Sequence, residues 1–407
     1  MKHDIIIVGA GLAGMSLALA LAGQRRSVLL LDAKPAPSIA VAADFDQRIY
    51  AVSPAGAAWL KQVRAWQALD AARITPVYDM HIQGGEEKFV PPLPPPLSSP
   101  GGAGLHLSAY RAGIGELCTI VEEREMMRVL QDAVGYAPGV ELLRPVEPAS
   151  LQTGADAVLL TLADGRAFKA QLIVAADGAR SWVRGAAGIT TDDIPYGQTA
   201  VVANFHTEKP HFNSASQWFR DEPAIGSASI LAWLPLPGQQ ISIVWSAPDA
   251  LASELMAMPP DALAHRVAEA GGNALGALRP AGVPASFPLR NQRAGSLIAP
   301  RVALGGDAAH VVHPLAGQGL NLGFGDCAEL ARVLDGAPDP GAHLTLRRYE
   351  RARKAAILEL HGLTHGLQRL FSSRAPLVRT LRNAGLNFTG RLPVIPELLV
   401  RLATRTL

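Results

Sequence analysis

With 407 residues, 49% of them hydrophobic and 18% charged, the chain has material for a large core spread over two or three domains, which excludes an intrinsically disordered protein. A formal net charge of only +2 excludes the basic excess of a nucleic-acid binder. The two cysteines, Cys118 and Cys327, form neither a CxxC nor a zinc pattern, so they read as small buried hydrophobes in a reducing compartment.

The first element is a strand, Ile5 to Val8, in "DIIIVGAGLAG". Gly9, Gly11 and Gly14 follow it, and then an alanine- and leucine-rich helix to Ala22. A dinucleotide pyrophosphate needs this order. Gly9 permits the turn, Gly11 lets backbone approach phosphate, Gly14 lets helix pack on strand, and the helix start offers free amides. The strand "SVLLLD" ends at Asp32, where a carboxylate can accept from ribose hydroxyls. Asp4 and the glycine spacing argue against a signal peptide, and no other apolar run reaches the ~18 to 20 residues of a membrane span.

Further along, Val90 to Gly104 is proline-rich and predicts an extended loop. The strand Leu172 to Ala176 runs into Asp177-Gly178, with Ser181 and Arg184 beyond it. Between this motif and the next, "TAVVANFHT", "SASQWFRD", "SILAWLPLPG" and "QQISIVWSA" read as strands of a mostly antiparallel sheet, with a hairpin at Pro237-Gly238. Trp218, Phe219, Trp233, Trp245 and Phe287 are candidates for an apolar substrate pocket, although for each taken singly a core role is the safer reading.

A third strand, in "RVALGGDAAH", ends at Gly306-Asp307 and is followed by a second glycine cluster, "PLAGQGLNLGFGD". Amides at the start of the helix there can face the far end of an extended ligand whose near end lies at Gly9. One ligand held at both ends fits FAD. Its ring takes up negative charge on reduction, which backbone donors and a helix dipole stabilise. Glycines let the backbone come close to the ring.

These three motifs, in this order, resemble the class A flavoprotein aromatic monooxygenases. The run "HPLAGQGLNLGFGD", His313 to Asp326, resembles the signature of their ubiquinone-biosynthesis hydroxylase branch. So do "FDQRIYAVS", "SAYRAGIGELCTIVEEREMMRVL", "WLPLPGQQISIVWS" and "FPLRNQRA", which extends the resemblance over nearly the whole chain. The resemblance implies that Gly9, Gly11, Gly14 and Asp32 hold the ADP half of FAD and that Arg48 approaches the flavin-side phosphate. Asp177 lies in the motif that the family uses for both FAD and reduced nicotinamide, and Asp307 would bind the ribityl chain. Pro314 and the backbone of Gly317, Gln318, Gly319, Leu320 and Asn321 would border the reactive side of the ring. Glu123 departs from the polar or basic residue that relatives place there. His310 and His313 fall near the ring, where a positional role is favoured over acid–base catalysis. The implied reaction is hydroxylation of a polyprenylated phenol with NAD(P)H and O2. A prenyl-chain reductase, a halogenase (its WxWxIP run is absent) and a non-catalytic flavin- or lipid-binding subunit of a quinone-biosynthesis assembly are the alternatives.

The expected fold is α/β. A discontinuous Rossmann-like FAD-binding domain (1–75, 105–185, 286–344) carries a mostly antiparallel substrate domain (76–104, 186–285) and a C-terminal helical segment (345–407). From Thr345 to Leu407, 12 Arg and Lys stand against 3 Glu, a net +9 that leaves −7 for the rest. That asymmetry suits either a helical tail docked on the acidic body of the FAD-binding domain or, for a cytoplasmic enzyme, peripheral contact with the inner face of a membrane, where a prenylated substrate and quinone-biosynthesis partners reside. His361 and His365 lack a third ligand, so no metal is expected. The oligomeric state stays open.

Overall fold

The computed structural model describes residues 3–36, 44–84, 105–222, 227–312 and 318–372. Its fold is the expected mixed α/β arrangement. A six-stranded sheet orders Ile298–Ala299, Val302–Leu304, Leu172–Ala175, Ile5–Val8, Val28–Leu31 and Val140–Leu143, all parallel except the first pair. Helices cover the central strands, so these read as unbroken apolar runs rather than alternating ones, and Ile5, Ile6 and Ile7 are wholly buried. The helices Leu12–Gly23, Glu123–Gly135 and Gln318–Leu334 supply much of the packing.

The second layer is a nine-stranded, mostly antiparallel sheet built around the strand Thr191–Thr207. Ser214–Glu222, Ser227–Leu236 and Gln240–Pro248 pair in sequence beside it. Gly238, at φ +73°, makes the hairpin expected at Pro237-Gly238. Two boundaries move relative to the sequence expectation. Ala285–Ala294 pairs along ten residues of Thr191–Thr207, and Leu105–Ser108 pairs with Asp79–Gly84, so both belong to this sheet rather than to the dinucleotide-binding domain. Sheet hydrogen bonding, which composition does not reveal, decides their membership. A three-stranded sheet of Ile49–Val52, Cys118–Glu122 and Ile74–Val77 joins the two layers through a small apolar cluster that includes Ile120, Ala215 and Leu236.

The basic C-terminal segment begins as a docked helix, His343–Ser372. Tyr349 donates to the Leu304 carbonyl at 2.7 Å, and Leu346 and Ile357 are buried against the first core. Arg353 is buried too and donates to the Asp326 carboxylate at 2.8 Å and to the Leu322 carbonyl at 3.0 Å. Among the described residues no helix is long and apolar enough to cross a membrane.

Burial opposes ionisation of Asp326, but His310 and the Arg353 guanidinium outweigh it and hold the carboxyl below its usual range. A carboxylate depressed by folding contributes stability above its unfolded pKa of about 3.9, and that contribution is lost as pH falls through the lower folded value. Arg353→Met is therefore expected to cost about 3–5 kcal/mol, since it strands a buried charge. It should also move the acid limb of stability to higher pH. Urea unfolding from about pH 7 down to about pH 3 checks both; a loss under about 1 kcal/mol would show the pair to be dispensable.

Candidate active site

A cavity of about 460 Å³ lies where the two layers meet. This is the size range of cofactor and small-molecule sites. One side is formed by the C-terminal ends of the parallel strands, the usual ligand side of such sheets. Gly11, Gly178, Gly306 and Asp307 line it there, and Gly319 and Leu320 line it from the first turn of the helix Gln318–Leu334.

The three N-terminal glycines divide into two roles. A β-carbon at Gly9, whose φ is +109°, would overlap the Ala176 carbonyl, and one at Gly14 would overlap the carbonyl of Gly9. Both are closed by the protein's own backbone. At Gly11 a β-carbon would meet nothing within 4 Å, because that residue opens onto the cavity. The backbone thus makes room at the one glycine where a ligand's phosphates are expected.

Asp32, at the end of Val28–Leu31, accepts from the amides of Ala10 and Lys34, each at 2.7 Å, so it fixes the glycine loop and retains further acceptor capacity. Asp177 accepts from Val183 N at 3.1 Å, while its buried Oδ1 has no partner among the described residues. Asp307 is exposed, with its surface opening into the cavity between buried neighbours on either side. Burial raises its pKa, with His310 and Arg48 pulling the other way. A cradle left open at Gly11 and a carboxylate facing the chamber at Asp307 both fit an FAD threaded along the strand ends.

Arg48 lines the chamber, but its guanidinium is engaged with Glu123, at 3.1 and 3.3 Å from the two carboxylate oxygens. It also stands 5.0 Å from the centre of the Phe287 ring. Burial pushes the Glu123 carboxyl up, and Arg48 only partly offsets that. Glu123 therefore enters the site after all, as the residue that holds Arg48.

Asn321 points elsewhere: its Oδ1 accepts from Ser53 N at 2.9 Å and its Nδ2 donates to the Ala51 carbonyl at 2.9 Å, pinning the helix to the neighbouring strand. His310 is buried, with Nε2 2.6 Å from Asp326 Oδ2. Gln318 opens its helix at the chamber's edge. His313, Pro314 and Gly317 lie outside the described residues.

The tryptophans correct the sequence expectation. Strand side chains alternate faces, and Ala232, Leu234, Val244 and Ser246 face the cavity. Trp218, Trp233 and Trp245 fall on the alternate positions and pack behind the sheet with Leu251, Leu255 and Leu263. Trp218 and Trp233 meet edge to face at 4.9 Å. They are core, not pocket. Phe287 is half-buried beside Arg48. Sequence reasoning had also passed over Gln217, which lines the chamber, and the hub of Asp326 and Arg353 beneath it. The terminal aspartate of the glycine-rich run was the one visible signal for the hub. Among the described residues no cluster of His, Cys, Asp and Glu could hold a metal ion.

The FAD binding domain family matches residues 2–360. The ubiquinone hydroxylase UbiL of Rhodospirillum rubrum is 34% identical over 99% of this chain and 90% of its own length. The 3-demethoxyubiquinol 3-hydroxylase of Escherichia coli is 32% identical over 98% of each chain. Among solved structures, p-nitrophenol 4-monooxygenase PnpA of Pseudomonas putida superposes with a TM-score of 0.76 at 19% identity, covering 100% of this chain and 99% of that one. Klebsiella pneumoniae HpxO complexed with FAD and uric acid gives 0.74 at 19% identity, over 100% and 96%. The open cradle at Gly11 and the chamber carboxylate of Asp307 thus sit in a member of the FAD binding domain family, and the chain is an FAD-dependent flavoprotein monooxygenase.

Proposed function

We propose that the enzyme hydroxylates the phenolic ring of a polyprenylated ubiquinone precursor, using NAD(P)H and O2. The observation that carries this reading is a single chamber with two unlike walls. Glycine loops and Asp307 form one, and the largely apolar sheet face around Ala232, Leu234 and Val244 forms the other. Cofactor and apolar ring can then share one space. The named activities of the Rhodospirillum rubrum and Escherichia coli relatives support the substrate class.

Bound FAD supplies the redox chemistry, accepting electrons from the nicotinamide and delivering one atom of dioxygen to the ring. The chain's own part is positioning. Asp32 offers acceptors to the ribose, and the open backbone at Gly11 with the helix start behind it receives the pyrophosphate. Arg48 serves the flavin-side phosphate, Asp307 the ribityl hydroxyls, and the backbone of residues 317–321 the ring edge. His310, tied to Asp326, braces the loop that carries Asp307 rather than moving a substrate proton.

The basic tail gives the enzyme a route to its substrate. Arg379, Arg382 and Arg401 lie outside the described residues, and the reading for them rests on charge alone: each basic residue near an anionic surface is worth about 1 kcal/mol. Charge reversal at these three should weaken salt-sensitive flotation with anionic liposomes while flavin content is retained, and equal flotation would remove them from the docking surface.

Replacing Gly11 with Leu should cost most of the bound flavin with little change in folding, because its side chain would enter open cavity rather than core. Flavin absorbance per protein with far-UV circular dichroism measures this, and full occupancy would sink the pyrophosphate assignment. Glu123→Gln removes the charge that engages Arg48. It is expected to tighten FAD binding to the apoprotein by roughly two- to five-fold, the worth of a partly exposed ion pair. Weaker binding would instead make Glu123 a direct flavin contact.

A further inference from the structure

Gln217 is out of keeping with its surroundings. On the cavity face of the large sheet its lateral neighbours are Ile82 on one side and Ala232 on the other, and beyond Ala232 comes Val244. The row is otherwise hydrocarbon. Gln217 itself is only 6% exposed and lines the chamber, and its side-chain amide is not among the sealed polar atoms that lack a partner, so its polar end is open to the cavity. A primary amide has two donors and an acceptor with two lone pairs, and burying it without partners is costly unless something else satisfies it. Leucine or methionine would fill the same place in an apolar row without that cost. The amide therefore fits a ligand that brings its own polar group to an otherwise hydrocarbon row.

We infer that Gln217 is the substrate-orienting side chain of the chamber, hydrogen-bonding the phenolic oxygen of the ring while the hydrocarbon positions around it take the ring's apolar edge and prenyl chain. This rests on the hydroxylase reading above. The position favours substrate over cofactor, since Gln217 stands on the sheet wall, whereas the residues that fit FAD come from the strand ends and the helix Gln318–Leu334. An amide suits this task. It can donate to a phenolate or accept from a phenol, so it fixes which ring carbon is presented without committing to one protonation state. A site built to hydrogen-bond a hydroxyl also rejects the analogue that cannot pair with it, because the protein's amide is then left stranded.

The test uses the FAD-loaded enzyme, titrated with a short-chain 2-prenylphenol and with the methyl ether of the same compound, following the visible flavin spectrum. The wild type should bind the phenol roughly three- to ten-fold more tightly than the ether. Gln217→Met, unbranched and of similar length, should bind both equally, with the ether's affinity and the flavin content as in the wild type. In turnover the same variant should release more hydrogen peroxide per NAD(P)H consumed, because an unanchored ring accepts oxygen less often. If Gln217→Met still prefers the phenol, the inference is overturned. Weakened flavin binding in the variant would overturn it differently, by making Gln217 a cofactor contact. If the wild type binds neither compound, the prenylphenol reading fails and takes the inference with it.

Discussion

The site depends on a buried carboxylate. Asp326, inside the helix Gln318–Leu334, accepts from Gly306 N at 2.9 Å, from His310 at 2.6 Å and from Arg353 at 2.8 Å. No water reaches it, so the charge is tolerable only because these three donors surround it. Each belongs to a different piece of the structure. Gly306, at φ +59°, is the left-handed step that precedes Asp307, His310 begins the short strand leading to the glycine-rich run, and Arg353 lies on the C-terminal helix. A single ionised group thus fixes the loop that brings Asp307 to the chamber, the strand after it and the helix packed behind them.

Much of the architecture was legible in the sequence because its signals are local. A strand, a tight turn and a helix start must occur within a dozen residues to receive a pyrophosphate, and Gly9, Gly11 and Gly14 carry that requirement in their spacing. Their separate duties were less visible. Only the packing of Ala176 against Gly9, across some 170 residues of chain, shows that Gly9 and Gly14 are closed by the protein's own backbone while Gly11 stays open.

The side chains that face one another were the hard part. Arg48 and Glu123 meet because the strand Ile49–Val52 lies antiparallel to Cys118–Glu122, a register that neither segment announces alone. Arg353 was visible only as one charge in a basic tail, with nothing local to set it apart from the exposed arginines around it. The tryptophans failed for another reason. Antiparallel strands usually reveal their faces by alternating polar with apolar residues. In this sheet one face is core and the other an apolar chamber, so both alternate positions are hydrophobic and the pattern loses its phase.

That double apolar character has a consequence for how such an enzyme diversifies. Core residues that hold the sheet to its helices, Trp218, Trp233 and Trp245 among them, and chamber residues such as Gln217, Ala232 and Val244 interleave along the same three strands and point to opposite faces. Mutation can therefore redraw the chamber's outline at every second position while the tryptophan side keeps the scaffold intact. Substrate preference and foldability become nearly independent traits, inherited on opposite sides of one sheet.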